Sequence, residues 1–73
     1  MMNKNEILKI FSENLRAERA RKKYTQEVLA EKANITTESL YRIENQKMNP
    51  TLVIVSNLAL ALEISIDTLM PLK

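Results

Sequence analysis

The 73-residue sequence contains no cysteine and no histidine. Their absence excludes disulfides, thiolate metal sites and imidazole general bases, and with them nearly every common nucleophilic dyad or triad. We therefore expect no metal, no cofactor and no enzyme activity. Glycine is absent as well. A helix that ends on a left-handed residue must then place a side chain there, at a cost of roughly 1 kcal/mol.

Long apolar runs are also missing. No stretch approaches the roughly 18–20 apolar residues that span a bilayer. Glu6 and Lys9 interrupt the short apolar run near the amino terminus, which makes it a poor signal peptide. We expect a cytoplasmic protein without a membrane partner. The length leaves room for one small domain over residues 1–73 and none for a ligand-sensing domain, so no small-molecule ligand is expected.

The charges that are present are unevenly placed. Lysine and arginine number 11 and aspartate and glutamate 9, which gives a net charge of +2. Residues 16–47 carry eight basic and five acidic side chains, or +3, whereas residues 48–73 carry one basic and two acidic side chains, or −1. This asymmetry, weak by itself, favours a polyanion as the partner of the first stretch.

Short amphipathic segments separated by turns predict five helices and no strand, which is an all-α fold. Apolar periodicity starts the first helix near Ile7 and carries it to about Lys22. A threonine or serine stands before each of the other four helices as a predicted N-cap. These helices are predicted at about 26–33 after Thr25, 37–45 after Thr36, 52–62 after Thr51 and 66–70 after Ser65.

The connection between the second and third predicted helices is only about three residues long. Two helices joined by so tight a turn, at about residues 26–45, form a helix-turn-helix. The residue types fit that packing, because Ala30 is small where the helices approach and Ile35 is an apolar plug at the turn. Leu40 and Ile43 pin the second helix of the motif onto the first.

The opposite side of the third predicted helix is polar. At about 100° per residue, one outward arc carries hydroxyl, carboxylate, phenol, guanidinium and amide groups, on Thr37, Glu38, Tyr41, Arg42 and Asn45. This stripe is either solvated surface or a surface that reads DNA. We favour the second interpretation, because the major groove admits one α-helix and presents donors and acceptors to it.

The stretch TQEVLAEKANITTESLYRIENQKMNPTL resembles the helix-turn-helix domain of the Cro and phage-repressor (Xre-type) regulators. The resemblance covers roughly residues 11–70. It rests on the motifs Thr25-Gln26-Glu27, Leu29-Ala30, Ile43-Glu44-Asn45, Asn49-Pro50, and Leu58-Ala59 through Leu62. It implies a compact five-helix, lambda-repressor-like domain that usually binds DNA as a dimer.

The resemblance also implies roles for single residues. Base edges would be faced by Thr37, Glu38 and Arg42, to which we add Tyr41 from the polar stripe. The predicted contacts to the DNA backbone are Gln26, Thr36, Asn45 and Lys47. Arg19 and Glu44 match positions that form a structural ion pair. The residues alone leave a second role open for Arg42, an i,i+4 pair with Glu38.

The sequence departs from the family at positions where glycine is common. Lys23, Asn34, Gln46 and Glu63 occupy those positions. Asn34 tolerates a left-handed conformation, whereas the other three are either strained or lie in turns of another shape. Val28 stands where a glutamate often completes a capping box, which predicts a weaker start for the second helix.

The fourth predicted helix is apolar on two sides. Its predicted core stripe consists of Leu52, Val55, Leu58, Ala59 and Leu62. Val53 and Leu60 fall on the opposite side with Ile54 at its flank, where the surface helix of a monomer should be polar. These three residues, with Ile66, Leu69 and Met70, form the predicted interface of a symmetric homodimer. Scattered exposed apolar residues are the alternative.

These features predict a sequence-specific regulator of transcription that binds double-stranded DNA as a homodimer on a near-palindromic operator. A two-fold dimer would set two recognition helices about 34 Å apart, at successive major grooves. The resemblance admits a restriction–modification controller, a small phage repressor or an antitoxin, and the sequence does not separate them. The alternative function is a protein-interaction module that docks through Val53, Ile54 and Leu60.

Overall fold

The computed structural model describes residues 1–71 and contains five α-helices. They are α1 (Lys4–Lys22), α2 (Gln26–Lys32), α3 (Thr37–Glu44), α4 (Leu52–Leu62) and α5 (Ile66–Leu69). No strand occurs in this range, so the predicted all-α, five-helix fold is confirmed. None of the described helices is both long and apolar enough to cross a membrane. Residues 72 and 73 of the predicted domain lie outside the described range.

The first helix begins earlier than the apolar pattern predicts. Its N-cap is Asn3, whose side chain accepts a hydrogen bond from the backbone N–H of Glu6 at 2.9 Å. The Glu6 carboxylate accepts one in return from the N–H of Asn3 at 3.2 Å. This capping box adds a polar first turn that the periodicity of apolar residues does not reveal.

Hydroxyl residues stand at the other four helix starts, as predicted. Thr25, Thr36 and Thr51 each accept a hydrogen bond from the backbone N–H three residues later, at 3.0–3.1 Å. Ser65 occupies the N-cap position of α5 but makes no side-chain capping bond there. Ser65 therefore occupies the predicted N-cap position, but the hydrogen bond expected from a capping side chain is absent.

The core lies where α1, α2, α3 and α4 converge, and α5 closes one end of it against α1 and α4. Its large buried side chains are Phe11, Leu15, Leu29, Leu40, Ile43, Leu58, Leu62 and Leu69. They come from all five helices. The short helices therefore depend on one another for stability, since isolated helices of this length are marginal in water.

Two sequence predictions of burial are wrong. Leu52, assigned to the core stripe of α4, is 77% exposed. It is the first residue of α4 and lies with Ile66 on the lining of an open groove, where no helix covers it. Leu69, assigned to the dimer surface, is 0% exposed. The single turn of α5 directs this side chain inward, and its backbone oxygen accepts from Asn14 Nδ2 at 3.1 Å.

Four helix ends carry a non-glycine residue in the left-handed region, at Lys23 (φ 59°), Asn34 (φ 58°), Gln46 (φ 61°) and Glu63 (φ 59°). After α1, the N–H of Tyr24 donates to the Arg19 oxygen at 3.1 Å, and the N–H of Lys23 donates to the Ala20 oxygen at 3.0 Å. The same two bonds follow α2, α3 and α4. All four ends are Schellman motifs. The turns thus keep the shape that glycine suits best, and a different turn shape is excluded.

A buried carboxylate joins α1, α2 and α3. The Glu44 side chain is 1% exposed and accepts two hydrogen bonds from Arg19, Nε to Oε2 at 2.7 Å and Nη2 to Oε1 at 3.0 Å. Gln26 donates its Nε2 to the same Oε1 at 3.0 Å. The remaining Nη1 of Arg19 donates to the backbone oxygen of Tyr24 at 3.1 Å. The predicted partners Arg19 and Glu44 are therefore in contact, and they fix the end of α3 on α1.

The substitution Lys23→Gly should stabilise the domain. It removes the steric conflict of a Cβ in the left-handed conformation, worth roughly 1 kcal/mol, and should raise Tm by about 4–8 °C in a domain of this size. Thermal unfolding followed by circular dichroism measures the change. Lys9→Gly, at an exposed position inside α1, is the matched control and should lower Tm. An unchanged or lower Tm for Lys23→Gly would contradict strain at this helix end.

The substitution Arg19→Ala should destabilise the domain by about 3 kcal/mol, because it leaves the Glu44 carboxylate buried without a countercharge. Denaturant unfolding measures the loss. Arg42→Ala is the control, since it breaks an exposed pair with Glu38 and should cost less than about 1 kcal/mol. Equal losses in the two variants would show that the Glu44 network does not hold the domain together.

Candidate nucleic-acid interface

The third helix divides its side chains between the core and solvent. Leu40 and Ile43 are fully buried, whereas Thr37, Glu38 and Arg42 are exposed. This is the separation that the helical periodicity predicts. Because the buried side and the end of α3 are both fixed, the polar side is held in one orientation towards solvent.

The exposed side of α3 forms part of a shallow, open depression. Its lining consists of Gln26, Thr37, Glu38, Tyr41, Arg42 and Lys47. These side chains come from the start of α2, from α3 and from the loop after α3, so the helix-turn-helix brings them together. All six belong to the DNA contacts predicted from the sequence. Two of them are basic and one is acidic, which leaves the depression with a net charge of +1.

Arg42 and Glu38 form an exposed pair across one turn of α3. The Nε of Arg42 lies 3.2 Å from Oε2 of Glu38, and the two side chains are 55% and 72% exposed. The two Nη groups of Arg42 have no hydrogen-bond partner within the described residues. The ion pair and a base-reading role are therefore compatible, because the pair uses only one edge of the guanidinium.

Tyr41 and Lys47 form a second cation-containing pair on the same surface. The Nζ of Lys47 lies 5.8 Å from the centre of the Tyr41 ring, within the range of a cation–π interaction. The backbone N–H of Lys47 donates to the Arg42 oxygen at 2.8 Å as part of the Schellman motif. The loop residue is thus held beside the helix by both its backbone and its side chain.

The two remaining predicted backbone contacts, Thr36 and Asn45, do not line the depression. The Thr36 hydroxyl caps α3 and also donates to Ser39 Oγ at 2.9 Å. The Asn45 Nδ2 donates to the backbone oxygen of Tyr41 at 2.7 Å. Both side chains therefore stabilise the ends of α3. The Thr36 hydroxyl hydrogen is engaged in this conformation, whereas the second N–H of Asn45 Nδ2 has no partner within the described residues.

Two interactions in the site were not predicted. Gln26, predicted as a phosphate contact, also donates to Glu44, so its amide is held with Nε2 towards the carboxylate. Arg16 donates its Nη1 to the backbone oxygen of Glu44. Arg16 lies three residues before Arg19 on the same face of α1, and that spacing is the sequence signal that identifies it.

An exposed ion pair lies away from the depression and joins the ends of α1 and α4. The Nζ of Lys22 lies 2.6 Å from Oε1 of Glu63. This hydrogen bond raises the pKa of Lys22 and lowers the pKa of Glu63. The contribution of Glu63 to stability is therefore lost as the pH falls through its lowered pKa, while that of Lys22 is lost at high pH.

The outward face of α4 is apolar. Val53 is 68% exposed and Leu60 is 74% exposed, and both lie opposite the buried stripe of the helix. Ile54 and Met70 are half-buried against the core, and Ile66 is partly exposed. Of the six residues predicted for a dimer interface, five therefore retain accessible surface and only Leu69 does not.

A family model described as helix-turn-helix matches residues 15–69. A search among curated proteins gave no match. Among solved structures, the restriction-modification controller protein C.AhdI from Aeromonas hydrophila is similar, with 32% sequence identity and a TM-score of 0.84 over 86% of this chain and 96% of that one.

Two further solved structures share the fold. A tyrosine-to-alanine mutant of the restriction-modification controller protein C.Esp1396I has 28% identity and a TM-score of 0.81, over 86% of this chain and 82% of that one. The hypothetical transcription factor NHTF from Neisseria has 21% identity and a TM-score of 0.85, over 96% and 82%. At 21% identity, the similarity to NHTF concerns the fold alone. The family match spans most of the chain, and the chain belongs to the Xre and lambda-repressor type of the helix-turn-helix family, whose members are DNA-binding regulators of transcription.

Proposed function

We propose that this protein is a homodimeric, sequence-specific regulator that reads a near-palindromic operator in double-stranded DNA through α3. The observation that carries the proposal is the depression along α3. Its polar side chains are exposed although the helix itself is held on the core by buried leucine, isoleucine and glutamate side chains. A rigid helix with an exposed polar side is what insertion into a major groove requires.

Arg42 is the principal base reader in this proposal. Its two Nη groups are free within the described residues, and such a pair of donors matches O6 and N7 of guanine. Thr37 and Tyr41 lie beside it and offer a methyl group, a hydroxyl and an aromatic ring to neighbouring bases or sugars. Gln26 at the start of α2 and Lys47 in the loop after α3 complete the lining, and in this proposal they contact phosphates.

The proposed dimer forms through the outward face of α4. Val53 and Leu60 expose large apolar side chains there, and a self-complementary apolar patch is the usual basis of a two-fold interface. Ile54, Ile66 and Met70 extend the patch. Two copies related in this way would present two α3 helices to successive major grooves, about 34 Å apart.

The proposed biological role is control of restriction–modification genes, exercised in the cytoplasm where the DNA is. Two controller proteins of such systems are similar to this chain, and C.AhdI is matched over 96% of its length. A small phage repressor and an antitoxin share the same mode of DNA binding, so the molecular proposal does not depend on this choice.

The substitution Arg42→Ala should abolish preference for one base pair in each half-site. A preferred site is first selected from random duplex DNA, and binding is then measured at several salt concentrations. Loss of a bidentate guanine contact costs about 1–3 kcal/mol of discrimination, while the salt slope should hardly change because Arg42 contacts no phosphate.

Arg21→Ala is the matched control, since it removes the same side chain from an exposed position outside the depression. It should leave base preference intact. The absence of any enriched site, or weak binding that is indifferent to Arg42, would contradict the proposal and favour a protein-interaction module.

The substitution Val53→Asp should convert the dimer to a monomer, because it places a charge in an apolar interface where it has no partner. Analytical ultracentrifugation across a range of protein concentrations measures the association. Val28→Asp is the matched control, because Val28 is also exposed but lies on α2. If both variants associate as the wild type does, the α4 face is not the dimer interface.

A further inference from the structure

Glu38 is an unexpected residue on a surface proposed to bind DNA. It is the one carboxylate among the six described side chains that line the depression. A carboxylate close to phosphates is repelled, and it contributes to affinity only where it meets a hydrogen-bond donor. In the major groove those donors are the exocyclic amino groups, N4 of cytosine and N6 of adenine.

The position of Glu38 on α3 suits a contact with bases. It is the second residue of α3 and is highly exposed, and the first turn of a recognition helix is the part that reaches base edges. The backbone N–H groups of the helix start suit phosphates instead. The carboxylate therefore lies on the part of α3 that is proposed to read bases.

The bond between Glu38 and Arg42 leaves both side chains with groups that can face DNA. It joins Oε2 of Glu38 to Nε of Arg42 at 3.2 Å and uses neither Oε1 nor the two Nη groups. Because the bond holds the two heads side by side, the inference is that they contact neighbouring base pairs while they stay bonded. With Nε bound to the carboxylate, the Nη edge of Arg42 faces outward, and Oε1 of Glu38 remains available as an acceptor.

We propose that Glu38 and Arg42 act as a single reading unit for two adjacent base pairs. Arg42 donates to O6 and N7 of a guanine, and Glu38 accepts from the exocyclic amino group of the next base. Glu38 thereby rejects a base that presents a carbonyl oxygen at that position. It also orients Arg42, so the preferences at the two positions depend on each other. This inference rests on the proposed function.

The test measures binding to duplexes that carry all sixteen dinucleotides at the step whose preference depends on Arg42. Fluorescence anisotropy at one fixed salt concentration gives Kd for wild type, Glu38→Gln, Arg42→Ala and the double variant. Wild type should discriminate by about tenfold or more at each position. Glu38→Gln keeps the size of the side chain and one acceptor oxygen but adds a donor, so it should no longer reject bases that present a carbonyl oxygen and should weaken the preference for guanine several-fold.

Glu27→Gln is the matched control for the change in charge. Glu27 is the second residue of α2, as Glu38 is of α3, and it is also exposed in the first turn of its helix. The two substitutions therefore have the same effect on helix electrostatics. Glu27→Gln should either tighten binding by a similar factor on all sixteen duplexes or leave Kd unchanged. In both cases the base preference should stay the same.

The outcomes separate the inference from the proposed function. If wild type shows no Arg42-dependent site at all, both fail. If wild type shows such a site but Glu38→Gln retains both preferences, only the inference fails, and Glu38 serves to stabilise the start of α3. If Glu38→Gln loses discrimination at its own position and weakens the preference for guanine, and the double variant discriminates at the guanine position as Arg42→Ala does, Glu38 acts there through Arg42, as proposed. If Glu38→Gln loses discrimination at its own position but leaves the preference for guanine unchanged, the two residues read independently and the single reading unit is overturned.

Discussion

The orientation of α3 depends on one buried carboxylate. Glu44 is the last residue of α3 and is bound by Arg19 of α1 and Gln26 of α2, which are the two helices on which α3 rests. Desolvating a carboxylate is expensive, and only a full set of donors compensates for it. The arrangement is therefore all-or-none, because α3 either docks with these bonds formed or leaves a buried charge without partners. Such a constraint favours a single docking angle more strongly than leucine packing alone would.

Because the sequence lacks glycine, backbone strain arises at the helix ends. The helix-turn-helix, the turn into α2 and the turns on either side of α4 all use the left-handed conformation, yet each places a side chain there. Two of these residues make or support contacts that offset part of the strain. Glu63 binds Lys22 across the ends of α4 and α1, and Gln46 lies within the Schellman motif that positions Lys47 beside Tyr41. The small core leaves limited stability to offset the strain at Lys23, Gln46 and Glu63, whereas Asn34 tolerates the left-handed conformation.

Local chemistry made the helices and their caps predictable. The threonines before α2, α3 and α4 indicate helix starts, because a threonine hydroxyl accepts from a free backbone N–H of the first turn. The periodicity of Leu40 and Ile43 distinguishes the buried side of α3 from its exposed side. Contacts between helices were harder to foresee. Leu69 belongs to the core because a single helical turn docks at an angle that no local pattern encodes. Leu52 is exposed although it lies on the predicted core side of α4. Periodicity assigns a residue to one side of a helix but does not show how far the neighbouring helices extend along it. The bond from Gln26 to Glu44 crosses 18 positions of sequence, and no spacing rule anticipates it.

Arg16 changes the electrostatics of the far end of α3. The last backbone carbonyls of a helix carry roughly half a negative charge, and a helix lying in a DNA groove brings that end towards one of the two phosphate chains. The guanidinium of Arg16 donates to the carbonyl of Glu44, which is the last residue of α3. A cation from α1 thus neutralises the end of the helix that a phosphate would otherwise repel. The first helix, which contributes nothing to the described lining of the depression, in this way supplies a counterion to the helix that is proposed to read the DNA.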